Sequence, residues 1–276
     1  MKSRMWKLPK TILVYLVVIL IVAACVVPVL WILLTAVKEQ ADIFAMPPKL
    51  FFRPTMANFV DIFANRNFLH YLVNSVVLAV STTLLAVVLG VVAAYGFSRY
   101  NFKGKKDIFF WILSVRMSPA IVAVIPLFLI IARIGLLDNL ISVTVVYLLI
   151  NLPFIIWVVK GFIDEVPIEL DEAARIDGCS SLRTLVRIIV PVISPGIAAT
   201  AILSIIFSWN EFLFALVLTG INARTLPVTI LQFITLTGIN WGPMCAAGTV
   251  TIFPIFIFAL SVQKHLVRGL TLGAVK

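Results

Sequence analysis

Residues 165–178 read EVPIELDEAARIDG and form a polar insert between two strongly apolar stretches of the chain. Pro167 suits the first turn of a helix, because a residue there needs no N–H donor. Acidic residues follow in the early turns, where they favour the positive end of the helix dipole; they are Glu169, Asp171 and Glu172. Gly178 is typical of a helix stop. The insert therefore predicts a short acidic helix that ends at Gly178.

A second helix is expected directly after this stop. Ser180 or Ser181 can cap its N-terminus, and apolar residues continue over 182–190. Pro191 and Pro195 then mark the predicted return to the apolar part of the chain. The pattern indicates a helix-turn-helix over about 160–192.

The first helix of the insert has one small face beside an acidic one. The small face has helical spacing and is formed by Leu170, Ala173, Ala174 and Asp177. Adjacent alanines allow a partner surface to approach closely. A helix that merely lies along a membrane usually has a basic polar face opposite bulky apolar residues. The acidic character favours docking of another protein over that alternative.

The rest of the chain is typical of a membrane protein. Of its 276 residues 62% are hydrophobic and only 12% are charged, and the apolar runs are long enough to cross a bilayer as helices. The net charge of +10 is expected from Lys- and Arg-rich cytoplasmic loops. Nucleic-acid binding is not expected, because the sequence has no clustered basic face.

We predict an all-α, multi-pass protein of the cell membrane, with residues 1–276 as one transmembrane domain. The six predicted spans are 11–36, 71–97, 108–132, 140–159, 195–218 and 244–262. The first is expected to be a retained helix, because its apolar run extends beyond the length of a signal-peptide core. The alternative is cleavage near Cys25, where the sequence resembles a lipoprotein cleavage box.

The basic residues predict the orientation of the spans. Fifteen Lys and Arg residues lie on the side that carries both termini, the loop 99–107 and the insert, against six on the other side. The positive-inside rule then places both termini and the insert in the cytoplasm.

Glu172-Ala173-Ala174, followed by Gly178, Ile188 and Val190-Pro191, resembles the EAA motif of the permease subunits of ATP-binding cassette (ABC) importers. The family pattern prefers Leu where Val190 stands, a change that keeps the position apolar. The resemblance implies that this loop docks in a cleft of a separate ATP-hydrolysing subunit. Coupling to the ATPase would then involve a set of six residues: Glu172, Ala173, Ala174, Asp177, Gly178 and Pro191.

Further matches point to carbohydrate-uptake permeases of the maltose type. Trp209-Asn210-Glu211-Phe212 resembles their WNEF element, and the tail 263–276 resembles a segment that reaches into the ATPase dimer. The resemblance implies a second permease subunit, an ATPase dimer that binds ATP and Mg, and an extracytoplasmic solute-binding protein. It implies no cofactor or metal on this chain. The cargo would be a sugar or, alternatively, a polyol or glycerol-phosphate-type solute.

Two charges, Arg116 and Glu211, lie inside predicted spans, where they line a pathway or are satisfied within the protein. At 1.5 Å per residue they lie roughly 13 Å and more than about 20 Å from the cytoplasmic side, so a direct pair is not expected. Trp209, Asn210 and Phe212 offer aromatic faces and an amide suited to a sugar, or they serve helix packing. In maltose-type systems, the partner permease supplies most sugar contacts.

Other classes of function have little support in the sequence. The chain has no GxxxxGK[ST] phosphate-binding loop, so ATP hydrolysis by that chemistry is excluded, and no catalytic constellation is present. A gradient-driven carrier would normally show intramembrane ionisable relays and an inverted repeat. A membrane enzyme or scaffold is the remaining alternative.

Overall fold

The computed structural model describes residues 7–236 and 238–271, and the side chains of residues 12–236, 238–258 and 260. Part of the basic N-terminal segment and the end of the 263–276 tail lie outside the described residues. The predicted reach of the tail into the ATPase dimer therefore depends on side chains outside the described residues.

Almost all regular structure in the described residues is helical, as the sequence predicts. Apolar segments of this length fold as helices because a helix satisfies its own backbone hydrogen bonds without water. In chain order the helices are α1 Lys7–Ala36, α2 Gln40–Ile43, α3 Ala57–Val60, α4 Phe68–Arg99, α5 Lys105–Met117, α6 Ala120–Arg133, α7 Leu140–Asp164, α8 Glu169–Ile176, α9 Ser181–Thr184, α10 Val190–Asn210, α11 Leu213–Leu218, α12 Leu226–Thr229 and α13 Trp241–Thr271. One antiparallel ribbon pairs β1 Ile234–Thr235 with β2 Gly238–Ile239.

Five of the described helical segments are long and apolar enough to cross a membrane. They are Ile12–Ala36, Phe68–Arg99, Leu140–Asp164, Ser181–Asn210 and Trp241–Phe258. A sixth candidate is the pair α5 and α6, which is bent by 96° at its break. The sequence predicts one span over 108–132, but Ser118 leaves the helix at ψ 135°, as expected for a residue that precedes a proline. This span is therefore interrupted at Pro119.

The described residues divide into two compact units. The first contains residues up to Phe68 together with Ile230–Ile252. In it, the buried Lys38 ammonium donates to Lys49 O at 2.7 Å and lies over the rings of Trp31 and Phe52. Asn58 Nδ2 donates to Ala36 O and Lys38 O, each at 2.9 Å. These bonds fold the loop after α1 back onto the end of that helix.

The second unit contains Leu69–Thr229 and the chain from Phe253 onward. One of its apolar clusters joins α4, α7, α10 and the insert through residues such as Ala94, Ile163 and Ile189. A second cluster joins α4, α6, α7 and α11 around Tyr147 and Phe214. Helices α4 and α7 contribute to both clusters and therefore connect the two parts of this unit.

A buried chain of polar side chains links α4, α7 and α10. Thr83 Oγ1 donates to Ser204 Oγ at 3.2 Å, and Ser204 donates to Asn151 Oδ1 at 3.0 Å. Asn151 Nδ2 in turn donates to Ser208 Oγ at 3.1 Å. Polar groups in apolar helices commonly contribute about 0.6 kcal/mol each when they bond across an interface. Here they fix the register of three helices against one another.

Candidate coupling site

The polar insert begins where α7 ends at Asp164, and its first helix is α8, Glu169–Ile176. Pro167 lies two residues before α8, slightly earlier than the sequence predicts. Asp171 and Glu172 N–H groups both donate to Ile168 O. The three acidic residues of α8 occupy its first turn, where the helix dipole stabilises their charge.

Gly178 ends α8 in a left-handed turn, as the sequence predicts, with φ +79°. Cys179 N donates to Ala174 O at 2.9 Å, and Gly178 N donates to Arg175 O at 3.0 Å. This pair of bonds is the Schellman motif, which satisfies the last carbonyl groups of a helix and requires positive φ at the glycine position. The direction of the chain leaving α8 is thus set by Gly178.

The second helix of the insert begins at Ser181, with Ser180 as its N-cap; the Ser180 side chain accepts from Arg183 N. It does not end near 190. The helix continues from Ser181 to Asn210, through a π turn at Leu185–Ile189. Pro191 lies two residues after this turn and lacks the N–H that a regular helix would use. The predicted helix boundary near 190 is therefore wrong: Pro191 and Pro195 lie inside one continuous helix, and the π turn is the irregular segment. The return to the membrane at these prolines stays a prediction.

The buried face of α8 carries the carboxylate of Asp171, which the sequence predicts only as part of the acidic face. Asp171 is 1% exposed. Its Oδ2 accepts from Arg99 Nε at 2.9 Å, and its Oδ1 accepts from Tyr95 Oη at 2.6 Å. Arg99 also donates to Val166 O at 2.7 Å. Removing one partner of a buried ion pair typically costs about 3–5 kcal/mol, so this group of three side chains, the α8 clamp, holds α8 against the end of α4.

A further contact fixes the second helix of the insert to the same end of α4. Tyr100 Oη donates to Ser181 Oγ at 2.6 Å. Nearby, Ser98 Oγ donates to Asp164 Oδ1 at 2.6 Å, which joins α4 to the end of α7. Residues 95–100 therefore contact the insert and the helix that leads into it.

The predicted coupling residues divide between the two faces of α8. Ala174 is buried, whereas Glu172, Ala173, Asp177 and Gly178 are exposed. The predicted small face is thus split, because Asp171 and Ala174 together form the packed side. Ile176 is 87% exposed and is a further candidate contact residue that the sequence does not indicate. The exposed surface combines carboxylates, a small residue and an apolar side chain, which suits contact with another protein.

The structure places the predicted pathway residues around the end of α10. Trp209 is buried, whereas Asn210 and Phe212 are exposed, and Asn210 donates to Ile206 O of its own helix. The Glu211 carboxylate accepts from Phe214 N at 3.1 Å and from Ala215 N at 3.2 Å. Glu211 therefore caps α11, and the predicted span 195–218 is interrupted at this residue.

Arg116 lies at the break between α5 and α6 and forms no ion pair with Glu211. Its guanidinium lies 4.5 Å from the ring centroid of Phe207 and 5.2 Å from that of Phe154. It also donates to Ile150 O at 3.3 Å. A largely apolar cavity of about 550 Å³ is lined by Arg116, Ser118 and Pro119 among others. The Arg116 guanidinium is thus stabilised by two aromatic faces and one carbonyl group, and it lies at the edge of the cavity.

Tyr95, Arg99 and Tyr100 are the contacting residues that sequence reasoning missed. Their only signal is that polar side chains close the apolar run of α4, a pattern equally typical of any helix end at a membrane surface.

Apolar helices of membrane-spanning length, with a polar two-helix insert clamped to one of them, define an integral membrane protein. The chain belongs to the family described as the binding-protein-dependent transport system inner membrane component, which matches residues 86–272. It is therefore a permease subunit of an ABC importer, as the EAA motif indicates.

Curated relatives match nearly the whole chain. The trehalose/maltose transport system permease protein MalG of Thermococcus litoralis is 36% identical over 97% of each chain. The trehalose transport system permease protein SugB of Mycobacterium tuberculosis is 37% identical, covering 93% of this chain and 94% of the relative. A bacterial ABC transporter that imports the acidic polysaccharide alginate has a subunit with TM-score 0.77 and 23% identity, covering 91% and 95%. That last likeness supports the fold.

Proposed function

We propose that this chain forms half of the transmembrane pathway of an ATP-driven importer for a small saccharide. The observation that carries the proposal is the geometry of the insert. Its α8 is clamped from behind by Arg99 and Tyr95, and it presents Glu172, Ala173 and Ile176 outward. A surface that is fixed on one side and exposed on the other suits the transfer of a force from a docked partner.

In this proposal the chain crosses the membrane six times, with α5 and α6 as one bent span. Both termini and the insert lie in the cytoplasm, as the distribution of Lys and Arg favours. The loop between α11 and α12 then lies on the outer side. Residues 1–276 form one transmembrane domain in this proposal, and the partners contact its loops and helices.

The partners are a second permease subunit, a dimer of ATPase subunits and an extracytoplasmic solute-binding protein. ATP and Mg bind to the ATPase subunits. Closure of the ATPase dimer moves the insert through Glu172, Ala173, Ala174, Asp177, Gly178 and Pro191. The buried Ala174 acts through packing, and Pro191 acts through the irregular turn that precedes it. The exposed residues make the contact itself.

The proposed cargo follows from the relatives' names and from the chemistry near the α10–α11 break. Two relatives already described are named for trehalose or maltose, and one from Streptomyces coelicolor, 33% identical over 91% of this chain and 92% of the relative, is named for diacetylchitobiose. Asn210, Phe212 and Arg116 supply an amide, an aromatic face and a guanidinium, with Trp209 and Glu211 supporting them. The alternative cargo is a polyol or a glycerol-phosphate-type solute. A permease named for sulfoquinovosyl glycerol, 33% identical over 90% of this chain, favours including such solutes in any test.

Co-purification tests the proposal directly. The tagged chain is expressed with its genetic neighbours, extracted gently and analysed for stoichiometric partners. We expect a second permease and an ATPase, whose ATP hydrolysis is then measured with the solute-binding protein and a panel of saccharides, polyols and glycerol phosphate. Stimulation by one class identifies the cargo. Recovery of the chain alone or as a homodimer, without ATPase, contradicts the proposal.

A further inference from the structure

Helix α4 is bonded at both of its ends to elements that lie far apart in sequence. At the Arg99 end, the α8 clamp and the Tyr100–Ser181 bond hold the insert. At the other end, Asn74 Nδ2 donates to Asn222 O at 2.8 Å and to Arg224 O at 3.0 Å. These contacts belong to one unit of the fold. The insert and the loop after α11 are thus attached to the same helix.

The attachment of the loop is polar and partly buried. Ser75 Oγ accepts from Leu226 N at 2.8 Å, and His70 Nε2 lies 2.7 Å from Asn222 O. Asn74 and Ser75 are both buried. We call the contacts of His70, Asn74 and Ser75 with the loop the loop anchor. Because buried polar groups are costly to leave without partners, the loop anchor moves with α4.

The loop is held in shape by Asp138, which lies between α6 and α7, and by one bond of its own. The Asp138 carboxylate accepts from the backbone N–H groups of residues 220, 221, 222 and 223 and from Asn222 Nδ2, at 2.7–3.2 Å. Arg224 Nε donates to Gly220 O at 2.9 Å. These bonds fix the shape of the loop and also hold it to the segment before α7, which belongs to the same unit as α4.

Helix α4 is long and uninterrupted between the two attachments. It has 32 residues and contains no proline, so it spans about 48 Å. Sharp helix kinks occur mainly at proline, at Gly/Ser pairs or at π turns, and α4 is a single α-helix throughout. Midway, Thr83 is bonded to Ser204 of α10. A displacement at one end is therefore carried to the other end.

We propose that α4 transmits movement of the insert to the loop between α11 and α12, with the α8 clamp and the loop anchor as its two connections. This inference rests on the proposed function, in which the insert is driven by the ATPase and the loop lies on the outer side. Asp171, Arg99, Asn74 and Ser75 are positioning residues: they act by holding other elements. The clamp stays closed through the cycle, because opening it would leave a buried charge without a partner.

Single and double variants test the proposal in the assembled transporter. Asp171→Asn breaks the clamp and Asn74→Leu breaks the loop anchor. Each is expected to leave basal ATP hydrolysis per co-purified ATPase unchanged, and to reduce stimulation by the loaded solute-binding protein about fivefold or more, the range of a typical coupling energy. Because both act on one element, the double variant should lose little more than the worse single variant. Additive losses, or full stimulation in Asp171→Asn, overturn the proposal.

Lys160→Gln is the matched control. Lys160 pairs with Asp164 one turn away on α7, near the clamp but on the surface, and exposed pairs within one helix contribute little. We expect wild-type stimulation in this variant. A loss as large as that of Asp171→Asn would show that any charge change near the insert disturbs coupling, and would overturn the assignment to the clamp.

Cross-linking provides a test that does not depend on the folding of clamp variants. Tyr100→Cys and Ser181→Cys are combined in a background with Cys25, Cys179 and Cys245 replaced by serine, and joined with a short bifunctional thiol reagent. If the insert and α4 move together, the cross-linked transporter keeps its stimulated ATP hydrolysis. Loss of stimulation on cross-linking shows relative movement and refutes the proposal. Absence of a co-purifying ATPase with the wild-type chain is a separate result, and it refutes the proposed function.

Discussion

Replacement of Gly178 by valine tests whether the left-handed turn after α8 is required for coupling. The glycine has φ +79°, and a Cβ atom added there would meet nothing within 4 Å. The cost is therefore conformational and not steric. An L-residue in this region costs roughly 1–2 kcal/mol, and a β-branched residue is a stronger outlier there. A penalty of this size lowers the population of the turn by a factor of about 5–30.

A series of variants separates backbone conformation from side-chain size. Asn tolerates the left-handed region, so Gly178→Asn should retain most coupling. Gly178→Ala and Gly178→Leu should lose similar amounts, since no neighbour limits the size of the side chain. Gly178→Val should lose most. The control is Gly161→Ala, since a Cβ at Gly161 also meets nothing within 4 Å and the glycine lies inside α7.

The assay is ATP hydrolysis stimulated by the loaded solute-binding protein, normalised to the amount of ATPase that co-purifies. We expect loss of stimulation in Gly178→Val and wild-type values in Gly161→Ala. Full stimulation in Gly178→Val would refute the requirement for the turn. Equal damage by Asn and Val would refute its conformational origin.

Three further substitutions test other parts of the chain. Glu172→Lys should reduce ATPase co-purification at least about tenfold, because it reverses a charge at the proposed docking surface. Exposed Glu172 forms no ion pair within the described residues, so its charge is available to a partner. An unchanged yield of the complex would contradict this role. Burial alone would raise the pKa of Asp138, but its backbone N–H and Asn222 donors hold the pKa below its ordinary value. The ionised Asp138 carboxylate therefore stabilises the fold at neutral pH, and this stabilisation is lost as pH falls below about 4. Asp138→Asn should lower the free energy of unfolding by about 1.5–3 kcal/mol at neutral pH. Thermal unfolding measured against pH checks the loss and its pH dependence, and equal acid sensitivity in the variant would contradict the assignment. Gly196→Ala would place a Cβ 2.5 Å from a Phe162 ring atom, so it should destabilise the protein by about 1–3 kcal/mol, and an unchanged melting temperature would show that the ring moves aside.

The sequence alone predicts the helical class, the family and the turn at Gly178, because each depends on local patterns. Run length indicates membrane-spanning helices, and a capping serine and a terminal glycine mark helix ends. The spans at 108–132 and 195–218 were predicted as continuous helices. The first breaks because Pro119 constrains Ser118, and the second because the Glu211 carboxylate caps a new helix.

Tertiary partners account for most of what the sequence does not indicate. Asp171 looks like one more acidic residue in a first helical turn, and only the approach of Arg99, 72 positions away, makes it a buried anchor. The continuity of the second insert helix through Pro191 also could not be predicted. It depends on the π turn at Leu185–Ile189. From sequence alone, a proline inside a helical pattern is taken as a helix boundary.

The loop after α11 keeps its shape mainly through main-chain atoms. Four of the five donors to Asp138 are backbone N–H groups, which every residue except proline provides. Gly220 is constrained, because a Cβ there would lie 2.7 Å from the Asp138 carboxylate, but Ile221 is 66% exposed. Evolution can therefore exchange the side chain at the tip without rebuilding the loop. Divergence at such a position changes the surface of the loop while the attachment to α4 is inherited unchanged.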